Sequence, residues 1–360
     1  MNKEQARKLH EEAYVIDGLN ASTFFSEAVL RRIRQGGVTA FNGTVAAWHS
    51  LPETMNLIAD YYRLFEDQPD WIMQVRAVED IHEAKARGCA GMIFGFQDTN
   101  ALNGNLRMLD VYHALGVRII QLTYNDENAV GCGCMAPVDK GLTPFGREVV
   151  AEMNRLGMLV DLSHCGTKTT KDAIEASKGP VAFTHANPLA LAKSPRNKPD
   201  EAFKALADKG GVAGAVRLPA WLTHHGRASL EDYLKAIDYL VELMGIDHVG
   251  LGTDFMEEIP AEIMVASLKG ISEENLVKFY GSTLVEGFES VAEFPRVTEG
   301  LLSEGYTPED VKKIMGGNWL RLFEKVWKGC PTYTLPSPGG LSASGGEGTK
   351  GRGKQEDLRL

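Results

Sequence analysis

The stretch LVDLSHCGTKTTKDAIEASKGPVAFTH, residues 159–185, decides the reading of the fold. It opens on a β-rich apolar run, Leu159–His164, passes through a helix-like stretch, Thr167–Ala176, and closes on a second apolar run, Val181–His185. Strand, helix and strand in that order are the repeating unit of a parallel sheet, because parallel neighbours need a long crossover between them. Runs that are nearly continuous rather than alternating mark strands buried on both faces.

Working outward, the same kind of run recurs at Tyr14–Asp17, Val38–Val45, Gly91–Gln97, Ile119–Tyr124, Gly211–Val216 and His248–Asp254. Helix-like stretches lie between most of them, at Asn105–Leu115, Gly146–Leu156 and Leu230–Met244. Eight strands with intervening helices predict a closed (β/α)8 TIM barrel, with a doubly wound open sheet as the alternative. No GxGxxG or P-loop follows any run, which weakens a nucleotide-binding reading, and no internal repeat is visible. From Pro331 the composition turns to Gly, Ser and Pro. The barrel domain, with an N-terminal helix, is therefore expected over residues 1–328 and a disordered tail over 329–360.

The chain has 360 residues and a formal charge of −10, with acidic residues spread along it. Nucleic acid and anionic lipid both need a positive footprint, so neither is expected as a partner. There is no run of about 18 apolar residues, and the charged start MNKEQARKLHEEAYVIDG lacks the apolar centre of a signal peptide. A cytoplasmic protein is the expectation. Five cysteines, an odd count, disfavour a disulfide framework. Cys132-Gly-Cys134 reads first as a glycine-rich loop, and second as a pair of thiols for a metal or a redox step.

In a (β/α)8 barrel the chemistry sits at the C-terminal ends of the strands. Two of the predicted strands end in histidine, at His164 and His185, each after a small hydroxyl residue, Ser163 and Thr184. One such histidine is more often structural; two on adjacent strands favour a metal site. GLGTDF places Asp254 at another strand end, able to accept a proton from a water or to cap a turn. Arg196, between prolines in SPRNKPD (194–200), suits a substrate carboxylate as well as it suits a surface turn. Gln97 ends the third strand, where an amide is a poorer ligand than a carboxylate, and Asp98 beside it stays a possible ligand. Tyr124 and Asn125 end the fourth strand, with substrate binding and rim packing equally open for Tyr124.

DLSH (161–164), FTH (183–185), SPRNKPD (194–200), HVGLGTDF (248–255) and GGNWLRLFEKVW (316–327) stand in the order of the renal (membrane) dipeptidase family, and the chain resembles it over roughly residues 13–327. The resemblance implies a zinc enzyme that cleaves dipeptides and is often a homodimer. It implies His164 and His185 as ligands of one ion, Arg196 as the binder of the dipeptide carboxylate, and Asp254 as the proton-transfer aspartate; Asn197, beside Arg196, is a further candidate for substrate binding. The departures are as specific. Where the family carries its first-strand HxD pair this chain has Leu19 and Ala21, where it carries a bridging glutamate this chain has Gln97, and Tyr124 stands where it has histidine or tryptophan. The expectation is therefore one zinc or other divalent ion on His164, His185 and Gln97, with Tyr124 and Asn125 on a small dipeptide-like substrate. A cyclic amide or lactone hydrolase, a lyase, and a metal-free binding protein are the alternatives.

Overall fold

The computed structural model describes residues 3–224, 227–259 and 284–327. The expected tail over 329–360 lies outside them. In chain order the strands are β1 (Ile16–Asn20), β2 (Ala40–Ala46), β3 (Ile72–Val75), β4 (Ala90–Phe96), β5 (Val117–Gln121), β6 (Leu159–Asp161), β7 (Ala182–Phe183), β8 (Val212–Ala215), β9 (Ala228–Ser229), β10 (Val249–Leu251) and β11 (Val285–Glu286). The helices are α1 (Lys3–Glu12), α2 (Glu27–Gln35), α3 (Leu51–Asp67), α4 (Val78–Arg87), α5 (Met108–Ala114), α6 (Pro144–Leu156), α7 (Thr167–Ala176), α8 (Asp200–Asp208), α9 (Pro219–Leu222), α10 (Leu230–Met244), α11 (Phe294–Ser303), α12 (Pro308–Lys312) and α13 (Asn318–Trp327).

The sheet runs β2-β1-β10-β8-β7-β6-β5-β4 and closes through a β2–β4 pairing, which makes the expected eight-stranded parallel barrel. Every ladder is parallel, with Asp17 opposite Leu251 and Ile119 opposite Leu159. Strand β3 was not foreseen: it is short, half-buried, and pairs only with the first half of β4 (Ile72 with Ala90, Val75 with Ile93), so it carries little of the apolar signal of a barrel strand. The short pair β9–β11 lies apart from the barrel.

The end of the barrel opposite the mouth is plugged. Ile16, Ala40, Ile93, Ile119, Leu159, Ala182 and Val212, one from each of seven barrel strands, form one buried cluster with Trp319, Leu322, Phe323 and Trp327 of α13. Trp319 donates its indole N–H to the Leu251 carbonyl at 2.9 Å. A Cβ added at Gly18 or Gly250 would come within 2.6 or 2.5 Å of the Trp319 ring, so glycine at both positions is what lets the indole enter. The GGNWLRLFEKVW motif is thus the barrel's seal, and α6 to α8 and α10 pack outside the strands in the larger core.

Candidate active site at the barrel mouth

His164 and His185 lie just beyond the ends of β6 and β7, and their Nε2 atoms are 2.9 Å apart. The partners of the other ring nitrogens set what those Nε2 atoms can do. Thr184 donates its hydroxyl hydrogen to Asp161 Oδ2 at 2.6 Å, and Ser163 donates to Oδ1 of the same carboxylate. Thr184 Oγ1 is thereby left as an acceptor 2.8 Å from His185 Nδ1, which places the His185 proton on Nδ1 and a lone pair on Nε2. On the other ring, His164 Nδ1 lies 2.7 Å from Asn125 Oδ1. Both histidines are buried, and burial, followed by the nearby Arg196 guanidinium, pushes both well below the usual histidine range. They are neutral at ordinary pH and available as ligands.

The SPRNKPD loop is a clamp on these two strand ends. Arg196 donates from Nη1 to the Ser163 carbonyl and from Nη2 to the His185 carbonyl at 2.6 Å, and its plane lies 4.8 Å from the Trp221 ring. Lys198 is 1% exposed and donates to the Cys165 carbonyl. The two cations hold the carbonyls on either side of His164. Burial lowers the Lys198 ammonium to about 8. Asn197 donates to the carbonyls of Pro188, Ala192 and Trp221, which joins its loop to α9. Among the described residues the buried Nε–H of Arg196 has no hydrogen-bond partner.

Asp254 reaches the mouth in a left-handed backbone conformation, φ +56°. The segment that in the resemblance carries the first-strand ligands is zipped against it: Asp254 N–H donates to the Leu19 carbonyl, Ala21 N–H to the Phe255 carbonyl, and Thr23 N–H to the Glu257 carbonyl. Leu19 and Ala21 have no donor atom to offer an ion. Asn20 has its Nδ2 on Asp17 and its Oδ1 accepting from Ser22 N–H. This half of the mouth does not fit a second metal ion. The Asp254 carboxyl is pushed up to about 6 by burial, opposed by Arg196 and Arg217. Arg217, after β8, is buried with its guanidinium 4.0 Å from the Phe255 ring.

The fourth strand end supplies Tyr124, whose ring stacks on His164 at 4.2 Å and meets Trp48 edge-on at 5.2 Å. Asp98 accepts from the N–H groups of Asn100 and Tyr124 and from the Asn128 amide, so this carboxylate fastens the Tyr124 loop and is not free to ligate. Gln97 donates from Nε2 to Thr44 Oγ1 at 2.8 Å, leaving Oε1 as its remaining acceptor. Cys132 and Cys134 are both free thiols with separate partners, Cys132 at the Val138 carbonyl and the Lys140 N–H, Cys134 at Asn125 Oδ1. Among the described residues no group of three or more His, Cys, Asp and Glu side chains is placed to hold an ion. The two histidine nitrogens fit one ion, with an oxygen ligand still required.

The structure brings His164, His185, Asn125, Tyr124, Arg196 and Asp254 together at one end of the barrel. Lys198, Arg217 and Trp48 were missed. Lys198 lies inside the SPRNKPD motif beside the two residues given a substrate role, Arg196 and Asn197, and Arg217 follows a strand in AVRLP, a strand-end position like those of His164 and His185.

The sequence profile described as "Membrane dipeptidase (Peptidase family M19)" matches residues 3–276 and 270–330. "Dipeptidase tcpJ" of Claviceps purpurea is 30% identical over 281 residues, covering 77% of this chain and 60% of that protein. This chain therefore spans about three-fifths of that relative's length. Among solved structures, an amidohydrolase from Pseudomonas aeruginosa is 37% identical with a TM-score of 0.84, covering 89% of this chain and 99% of that one. A metallo peptidase from Rhodobacter sphaeroides, solved with a phosphinate mimic of the dipeptide L-Ala-D-Ala, shares the fold at 20% identity and a TM-score of 0.75, covering 88% and 99%. With the profile matched across the barrel, from the N-terminal helix to the α13 seal, the chain belongs to the membrane dipeptidase family.

Proposed function

We propose that this protein is a metal-dependent hydrolase that cleaves a dipeptide or similar small amide with one divalent ion, zinc being the first choice. The observation that carries the reading is the pair of Nε2 atoms 2.9 Å apart, each ring tied at Nδ1 to an oxygen. His164 and His185 hold the ion, and Gln97 Oε1 is the third ligand in this reading. An ion there supplies Lewis acidity, polarising a carbonyl and acidifying a water.

The rest of the work falls to the chain itself. Asp254, as carboxylate, accepts the proton of the attacking water and returns it to the leaving amine. Arg196 Nε–H, unmatched and buried, meets the substrate carboxylate while Nη1 and Nη2 keep the histidine loops in place. Tyr124 walls the pocket over His164, and its hydroxyl donates to the carbonyl oxygen under attack.

Metal analysis of the purified chain should give one ion per chain. His164→Ala and His185→Ala should each lose it together with amidase activity. A chain without stoichiometric metal, inactive on every amide tried with added zinc, manganese or cobalt, would overturn the proposal. The apolar first-strand end, with Leu19 buried and Asn20 committed, favours a second reading in which the substrate is a cyclic amide or lactone. Ordinary rates across a dipeptide panel would exclude it.

A further inference from the structure

Asn125 is half-buried beyond the end of β5 and faces the ring of His164. Its Oδ1 lies 2.7 Å from His164 Nδ1 and 3.4 Å from the Cys134 thiol, so two donors converge on one oxygen. The backbone at Asn125 is left-handed, φ +62°, a conformation asparagine adopts more readily than most residues. The Cys132–Cys134 loop holds it there. Met135 N–H donates to the Asn125 carbonyl at 2.8 Å, and Cys134 N–H donates to the His164 carbonyl at 2.8 Å. A Cβ at Gly133 would lie 2.2 Å from the Asn125 carbonyl carbon, so the loop can press this closely only with glycine at its centre.

We infer that Asn125 is a positioning residue, braced by the Cys134 loop, that holds His164 with its proton on Nδ1 and so turns the Nε2 lone pair toward His185. The physical need is plain. With Oδ1 toward the ring, His164 Nδ1 must be the donor, and Nε2 is bare; His185 Nε2 is bare for the Thr184 reason. Two lone pairs 2.9 Å apart repel unless a cation beside them is shared by both, whereas a proton on either Nε2 would make the contact a hydrogen bond. With the amide turned the other way, its NH2 would donate to Nδ1, the proton would sit on Nε2, and the two rings would close on each other in a hydrogen bond. The orientation of one amide thus decides whether the pair is open to an ion, and the Cys134 S–H on Oδ1 favours the open arrangement. The role of Asn125 passes from substrate contact to ring orientation, and the glycine-rich loop gains a purpose beyond turning the chain.

This inference rests on the one-metal reading, and the test separates the two. Asn125→Gly removes the amide while glycine accepts the left-handed backbone freely; Asn125→Asp keeps an oxygen that can only accept. Cobalt(II) affinity of the full chain is measured by chelator competition and by the visible absorption band, with thermal melts as a check on folding. Losing a ligand's orienting partner typically weakens metal binding about 10–100-fold, which is the loss expected of Asn125→Gly, with a changed band shape. Asn125→Asp should bind at least as well as the unsubstituted chain. An Asn125→Gly affinity within about twofold of unsubstituted would overturn the inference. If the unsubstituted chain takes up no cobalt, the one-metal reading fails, and nitrogen-15 NMR of the histidine rings then judges Asn125 alone. A proton on His164 Nδ1 supports the role, and a proton on Nε2 refutes it.

Discussion

Asp254 shows how far a single residue depends on what surrounds it. A carboxylate at a strand end is unremarkable in sequence, and an exposed one ionises near pH 4. Here burial raises it to about 6, while Arg196 and Arg217 limit the rise. The base form is the carboxylate, present above that value and lost as the pH falls through it. The kcat/KM profile should therefore carry an acid limb near pH 6, and Asp254→Asn should remove the limb and lower kcat by about 100- to 10,000-fold, the range of general base catalysis. An Asp254→Asn enzyme that retained both rate and limb would exclude Asp254 as the base. Replacing Arg217 by Met takes away one of the two opposing cations, so the limb should move to higher pH. A pH–rate series on that variant measures the shift directly.

At the scale of elements, the informative one is the loop of residues 194–200. The resemblance made Arg196 a ligand for substrate. The structure shows that most of its fork, together with Lys198, already serves the carbonyls of Ser163, Cys165 and His185. A buried carbonyl that loses its donor costs about 1–3 kcal/mol. Arg196→Lys keeps the charge but cannot reach both carbonyls, and chemical denaturation should show a loss of that size alongside a fall in kcat/KM. Unchanged stability would show that the loop is no clamp. The other informative element, Leu19–Thr23, pairs through its main chain with Asp254–Glu257. This ladder extends the β1–β10 edge into the mouth and sets where Asp254 stands.

The described residues form a barrel sealed at one end with the candidate site at the other, and the seal is Trp319. The indole fills the space above Gly18 and Gly250 and is fully buried. Large-to-alanine changes at such sites cost about 3–5 kcal/mol. Trp319→Ala should lower the unfolding free energy by that amount in a urea titration. A variant as stable as the parent would mean that α13 does not close the barrel. Among the described residues no helix is long and apolar enough to cross a membrane.

Much of this was legible in the residues themselves. Continuous apolar runs separated by amphipathic stretches specify buried parallel strands and their covering helices, and the helices at Thr167–Ala176 and Leu230–Met244 stand where their periodicity put them. Strand β3 escaped because a short, half-buried edge strand has no comparable pattern. His164, His185 and Asp254 could be named because a barrel brings strand ends together wherever they fall in the chain. Their chemistry could not be read in the same way. Which ring nitrogen bears the proton, which cation holds a carbonyl and which could meet a substrate, and how far burial moves a carboxyl all depend on neighbours tens of residues distant. The sequence by itself determined a parallel barrel with two histidines at strand ends and, at Leu19 and Ala21, no side-chain atom that could hold an ion. Only the tertiary structure decided that Asn125 and Thr184 orient those rings, because hydrogen bonds and desolvation act across space and not along the chain.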